Sequence, residues 1–351
     1  MVIYGKVKGN MQITDIDIRV WAEKEGEMGN LEVTMRCSAP GKGFVCAQLL
    51  SEEDQEEDRI FPVPVEEEIA FCMQVSPVRL WDTERAYLYK LALELRDEQM
   101  RLLGCTVKKL AFQRTEKEQG ELWLNEREIR LRPWCCCEEE LREELELSGE
   151  MQTGFCENTI ADNLEKRLRC WLAAIRRGRY NALFVAWENT KSGLRRMLAE
   201  LCPEYGLYYD EETECGSKAE MVQETQAGVF PDAAFSADSE RAGVAAPVSG
   251  FELNVTQEGV LLENHCLFVN ASEYELRYAL LHNGETVCDG SLCADVPPGS
   301  GRYIELPFAA LHEAGEYVYR VSLHLKQDTP WAARGYEIAA GESLISNLFS
   351  A

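Results

Sequence analysis

Basic charge is what this chain has too little of. Its 36 lysines and arginines stand against 61 aspartates and glutamates, a formal net charge of -25 over 351 residues. That balance repels phosphate backbones and anionic lipid surfaces, so nucleic acid and membrane are excluded as partners. Long apolar runs are missing as well. No stretch reaches membrane-spanning length, and the first residues, MVIYGKVKGN, lack the apolar core of a signal peptide. A cytoplasmic protein is expected, with its 14 cysteines mostly reduced and buried as small apolar residues. There is no CxxC pair, GxSxG elbow, P-loop or GxGxxG. Cys135-Cys136-Cys137 is a poor chelator, because neighbouring side chains on a strand point to opposite faces. Histidine is scarce too. His265, His282, His312 and His324 all lie near the C-terminus, show no metal-ligand spacing, and are expected as exposed strand or loop residues. No metal site and no cofactor are expected.

What the chain does have is period-2 alternation. Ile16, Ile18 and Val20 alternate with polar residues, as do Leu31, Val33 and Met35, and Tyr87, Tyr89, Leu91, Leu93 and Leu95. With a further strand at Val107 to Phe112, some seven short strands over residues 1–120 predict an immunoglobulin-like sandwich. The acidic runs Glu52–Asp58 and Glu138–Glu150 read as solvated loop or helix faces. Alternation returns from Phe251, with Tyr274 to Leu280 and Tyr317 to Leu325 flanking an Asn283-Gly284 turn, and predicts a second sandwich over 249–351.

Between them the period changes. Ala161 to Arg177 carries Leu164, Leu168, Trp171, Leu172 and Ile175 on one helical face. Ala182 to Ala186 is a short apolar run of the buried-strand kind, and Leu194, Met197, Leu198 and Leu201 form a helix stopped by Pro203. Gly206 then turns the chain into Leu207-Tyr208-Tyr209, a second expected strand. Strand, helix, strand is the building block of a parallel sheet or a (β/α) barrel. Ser217–Gln226 and Ala233–Ala246, rich in small residues, read as linker. The predicted fold is thus mostly β with an α/β insert. Two immunoglobulin-like sandwiches flank that insert.

Several phrases resemble one family. Pro77-Val78-Arg79-Leu80-Trp81 followed by Ala86-Tyr87-Leu88-Tyr89-Lys90-Leu91 looks like its "P-x-LW-(S/T)-x-E-x-P-x-LY-x-L" signature. Gly120 to Asn125 and Arg130-Leu131-Arg132 resemble the stretch leading into its catalytic barrel, and Leu201 to Tyr208 resembles its "LCDEYGLY". Ala227 to Asp232 looks like its "GLVFPDR" turn, and Asp328 to Ala332 with Gly335 to Ala339 is similar to its "DTPWAPAGHEVA". The family is glycoside hydrolase family two, in its large bacterial β-galactosidase form. The resemblance implies that residues 121–248 are a truncated (β/α)-barrel fragment, and that the jelly roll, barrel strands four to eight and the C-terminal sandwich of that family are missing. An intact barrel takes roughly 250 residues, and only about a dozen lie here between the third strand and the closing turn.

The departures fall where the chemistry would be. The family's Asn-Arg-His after its first barrel strand has become Cys135-Cys136-Cys137, with only Glu138 retained. Its Arg-Thr-Ser-His after the second is Phe184-Val185-Ala186-Trp187, and at the third strand Glu211 and Glu212 fall on its "DE", with Asp210 where an apolar residue belongs. Retaining hydrolysis needs two carboxyl groups about 5 Å apart, and the family's two glutamate motifs are not found. No catalytic residue is therefore assigned. Glu138, Trp187, Glu211 and Glu212 remain as substrate-binding candidates, and the family's magnesium site is not retained. The expected function is that of a β-galactosidase-like, non-catalytic carbohydrate-related or assembly module. It would pair with itself or with a full-length relative through the open barrel edge. The alternative is a β-galactosidase active only with a partner that supplies the missing barrel.

Overall fold

Alternating apolar residues build the first seven strands in the computed structural model, which describes residues 13–37, 42–118, 121–145, 157–187, 193–209, 250–308 and 314–347. These strands are β1 (Ile13–Ala22), β2 (Gly29–Cys37), β3 (Gly43–Leu50), β4 (Glu56–Pro64), β5 (Glu68–Val75), β6 (Tyr89–Asp97) and β7 (Leu102–Leu110). They form two antiparallel sheets, ordered β1-β2-β5 and β4-β3-β6-β7. Leu31, Val33 and Met35 from one sheet and Leu91, Leu93 and Leu95 from the other are buried in a common core. At the start of β6, the Tyr89 hydroxyl accepts a hydrogen bond from the Arg79 backbone N–H at 2.9 Å, the tyrosine corner of immunoglobulin-like folds. The acidic run is only partly a turn, since Glu56–Asp58 open the edge strand β4.

A three-stranded hairpin unit follows, β8 (Thr115–Glu118), β9 (Glu121–Leu124) and β10 (Arg127–Glu128). Its tight turn is Asn125-Glu126, both at positive φ as a two-residue hairpin turn requires. Next come β11 (Pro133–Cys137), α1 (Glu138–Glu144), α2 (Glu157–Arg177), β12 (Ala182–Ala186) and α3 (Gly193–Leu201). Strands β11 and β12 pair in parallel, Pro133 opposite Ala182 through Cys137 opposite Ala186. The described residues contain this one parallel pair and no closed barrel.

The second sandwich contains β13 (Phe251–Val255), β14 (Gly259–Asn264), β15 (Tyr274–His282), β16 (Glu285–Leu292), β17 (Ser300–Glu305), β18 (Gly315–Leu325) and β19 (Glu337–Asn347). Its sheets, β13-β14-β17 and β16-β15-β18-β19, repeat the strand order of the first sandwich. Asn283 and Gly284 both take positive φ and form the expected two-residue turn. One histidine departs from expectation. His324 is buried, bonded to the Ser322 hydroxyl at 2.8 Å and to the Gly335 carbonyl at 2.9 Å. His265 is exposed, as expected, and lies close to two carboxylates, as described below. Cysteine burial is also less complete than expected: Cys72, Cys105, Cys170 and Cys293 are exposed free thiols.

The chain divides into two compact units, Met1–Leu131 with Asn189–Glu214, and Arg132–Glu188 with Cys215–Ala351. This differs from the contiguous segments read from the sequence, because the β8–β10 hairpin and α3 go with the first sandwich. Among the described residues the expected third parallel strand is not formed. Cys202–Tyr205 make a 3-10 turn, and beyond Gly206 only Tyr208 makes a single ladder contact. The reason is the way this stretch is held within its unit. The buried Trp81 indole donates to the Pro203 carbonyl at 2.9 Å, Lys109 pairs with Glu204 at 2.8 Å, and Lys108 pairs with Glu200 at 2.8 Å. Gly206, at φ +65°, lies against the Thr83 backbone.

Two predictions follow from this junction. A Cβ at position 206 meets the Thr83 carbonyl oxygen at 2.7 Å in a left-handed backbone conformation. Gly206→Ala should therefore cost about 1–3 kcal/mol in urea unfolding; an unchanged midpoint would show that the junction is loose. Asp82 is buried in the same turn, and its Oδ1 accepts from the N–H groups of Glu84 and Arg85 at 2.8 and 2.7 Å. Burial raises its carboxyl to about 6, the two N–H donors offsetting part of the effect. A carboxyl raised on folding favours the native state below its unfolded value and loses that contribution as pH rises through about 6. Asn keeps the acceptor without the charge. The advantage of Asp82→Asn over wild type should grow from near zero at about pH 4 to about 2–3 kcal/mol above about pH 7. A pH-independent difference would refute the buried-charge account.

Candidate functional site

Ligands of parallel α/β sheets bind beyond the carboxyl ends of the strands, so the ends of β11 and β12 are the place to look. The register that sets Cys137 opposite Ala186 brings the following residues, Glu138 and Trp187, to the same end of the pair. The other ends are fastened at Asn181, whose N–H donates to the Arg132 carbonyl while its Oδ1 accepts from the Arg132 N–H. Trp134 meets Tyr180 edge-on at 5.2 Å. Cys135, Cys137, Phe184 and Ala186 gather into one apolar cluster, which confirms the alternation expected of the cysteine triplet. Cys136 is buried, and burial raises its thiol well above the usual range, with nearby Glu144 and Glu140 adding to the effect. It is no nucleophile.

Glu138 is not on a solvated face, as the acidic run had suggested. It is the buried first residue of α1, and its Oε1 accepts from Arg142 at 2.7 Å, one turn on. Cys137 caps this helix. Its Sγ accepts from the Glu140 N–H at 3.4 Å, and the Glu140 carboxylate accepts from the Cys137 N–H at 3.1 Å, a reciprocal capping box. Arg167 of α2 donates to the Leu145 carbonyl at 2.9 Å, and the Trp171 indole bonds the Glu144 carboxylate, so the two helices are tied together. Trp187 is half-buried. Asp210, Glu211, Glu212, His312 and both linkers lie outside the described residues. Of the candidate ligand residues, the structure thus brings Glu138 and Trp187 to one edge. Glycoside hydrolysis needs a proton donor and a second carboxylate facing one bond, and Glu138 is already matched by its own helix.

A second grouping was missed from the sequence. Glu252, Glu263 and His265 place one ligand atom each within 4.8 Å of one another. The signal was there only in the hairpin register, which sets Glu252 opposite Glu263.

With this geometry in hand, similarity to known proteins is informative. Residues 260–346, most of the second sandwich, match the family model described as β-galactosidase, domain 4. The β-galactosidase of Clostridium acetobutylicum is 40% identical over 94 residues, 27% of this chain and 10% of that one. The β-galactosidase of Lactobacillus delbrueckii subsp. bulgaricus is 36% identical over 109 residues, 30% of this chain and 11% of that one. Among solved structures, Bacteroides uniformis β-glucuronidase 3 aligns with a TM-score of 0.44 and 20% identity, over 56% of this chain and 22% of that one. Residues 260–346 thus resemble a β-galactosidase domain 4, and the "DTPW" phrase lies within them. The matched stretches span about a tenth of the length of the curated relatives.

The Glu138–Arg142 pair makes an asymmetric prediction. Removing the partner of a buried charge is worse than neutralising the charge itself. Arg142→Met should cost about 1–3 kcal/mol in urea unfolding and Glu138→Gln about 1 kcal/mol or less. The reverse order would mean that Glu138 is not held by this pair.

Proposed function

We propose that this chain is a non-catalytic derivative of a β-galactosidase-type glycoside hydrolase, serving as a carbohydrate-related or assembly module in the cytoplasm. The observation that carries the reading is the state of Glu138. At the strand ends where a sugar pocket would lie, this carboxylate is buried in an ion pair with Arg142, and the neighbouring strand faces are lined by Cys135, Cys137, Phe184 and Ala186. A side chain so placed supports a helix and does not serve as a proton donor. In this reading α1, α2, β11 and β12 are the remnant of a shortened barrel, and no resident magnesium is required. The partner is a second copy or a full-length relative, meeting the open edge of the parallel pair.

The domain-4 match over residues 260–346 favours a second reading, a β-galactosidase completed by a partner that supplies the rest of the barrel. Hydrolysis of a chromogenic aryl β-galactoside separates the two. Folded, monodisperse protein should release no chromophore above buffer, with or without magnesium. Turnover that co-elutes with the protein sinks the non-catalytic reading, and turnover appearing only when a chain carrying the remaining barrel strands is added returns the second one.

A further inference from the structure

We propose that Glu252, Glu263 and His265 form a binding site for a first-row divalent cation on the outer face of the second sandwich's three-stranded sheet. Leu253 and Leu262 point into the core, so their neighbours Glu252 and Glu263, cross-strand partners on β13 and β14, share the opposite face. Like charges directly across a ladder repel, and a cation shared between them removes that cost. On the next strand of the same row Glu263 faces Gly301 of β17, whose missing side chain leaves the sheet bare beside the carboxylate. A Cβ there would touch Glu263 Cγ at 3.4 Å.

His265 completes the set from just beyond β14. Its backbone N–H is fixed to the Gly250 carbonyl at 2.8 Å, and its Nε2 lies 3.7 Å from Glu252 Oε2. That gap is too long for a hydrogen bond. It is close to the separation of about 3.5 Å between two donors bound at about 2.1 Å around a tetrahedral ion. The other oxygen of Glu252 is already engaged: Asn254 Nδ2 donates to Oε1 at 3.2 Å, leaving Oε2 toward the imidazole. Second-sphere bonds of this kind orient metal-binding carboxylates. One imidazole and two carboxylates suit cobalt, zinc or manganese, while calcium prefers six to eight oxygens. The bound ion would clip the end of β14 to the β13–β14 pair.

Cobalt(II) is the probe, because the chain also has exposed thiols. Thiolate ligation gives a strong near-ultraviolet charge-transfer band, which oxygen and nitrogen ligands do not. Calorimetric and absorption titration of the full chain should show one equivalent bound without that band. His265→Gln and Glu263→Gln should each weaken binding by about tenfold or more, and Asn254→Ala, which keeps all three ligands, by a smaller factor. Affinity unchanged in both ligand variants, or a thiolate band accompanying the bound equivalent, overturns the proposal.

Discussion

The first unit is organised by one buried contact, the Trp81 indole N–H donating to the carbonyl of Pro203, 122 residues away. Around it, Asn125 Nδ2 reaches the Trp81 carbonyl, Gly206 lies against Thr83, and two lysines of β7 engage Glu200 and Glu204. An indole buried with its N–H satisfied contributes a large apolar area and a directional bond at once. Here both fix the same short turn. The consequence is topological: a stretch that reads as the second half of a strand-helix-strand unit is captured by the first sandwich, and the parallel sheet is left with two described strands.

Three buried acids among the described residues of this very acidic chain are handled in three ways. Glu204 meets a lysine from another element, Glu138 meets an arginine of its own helix, and Asp82 has two backbone N–H groups and a raised proton affinity. Removing a charge from water costs several kcal/mol unless it is paired or neutralised, so none of the three is spare chemistry. Each marks a place where the backbone is locked. The excess negative charge belongs to the exposed faces, where it acts on solubility and choice of partner and leaves the fold alone.

Both sandwiches were legible because their signals are local. Period-2 alternation gave Leu31–Met35 and Tyr317–Leu325, and Asn283-Gly284 gave its turn through the backbone freedom of those two residues. What stayed hidden depends on pairing between distant residues. Leu207-Tyr208-Tyr209 has the composition of a strand, but contacts from Trp81 and Lys109 decide its fate. Glu138 stands first in an acidic run, yet the register of β11 and the start of α1 bury it. Glu252 and Glu263 are eleven residues apart and face each other only once the hairpin is closed. His324 looked like any strand histidine until Ser322 and the loop carbonyl of Gly335 enclosed it.

Two five-residue strands cannot sustain themselves as a sheet in water, so the α/β segment needs support from elsewhere. Part of it comes from α2, whose last turn reaches the loop that follows β18. Arg176 lies over the Trp331 ring at 5.8 Å, and Arg177 donates to the Trp331 carbonyl at 3.4 Å. Trp331 in turn packs edge-on against Tyr336, beside the carbonyl of Gly335 that holds His324. The "DTPW" loop therefore works as a joint between the second sandwich and α2, and its tryptophan is engaged by protein on more than one side. A ring committed to such a joint is a poor platform for sugar stacking. The same logic that ties Trp81 to Pro203 in the first unit ties Trp331 to α2 in the second: in each, an aromatic side chain holds a neighbouring segment to a sandwich edge.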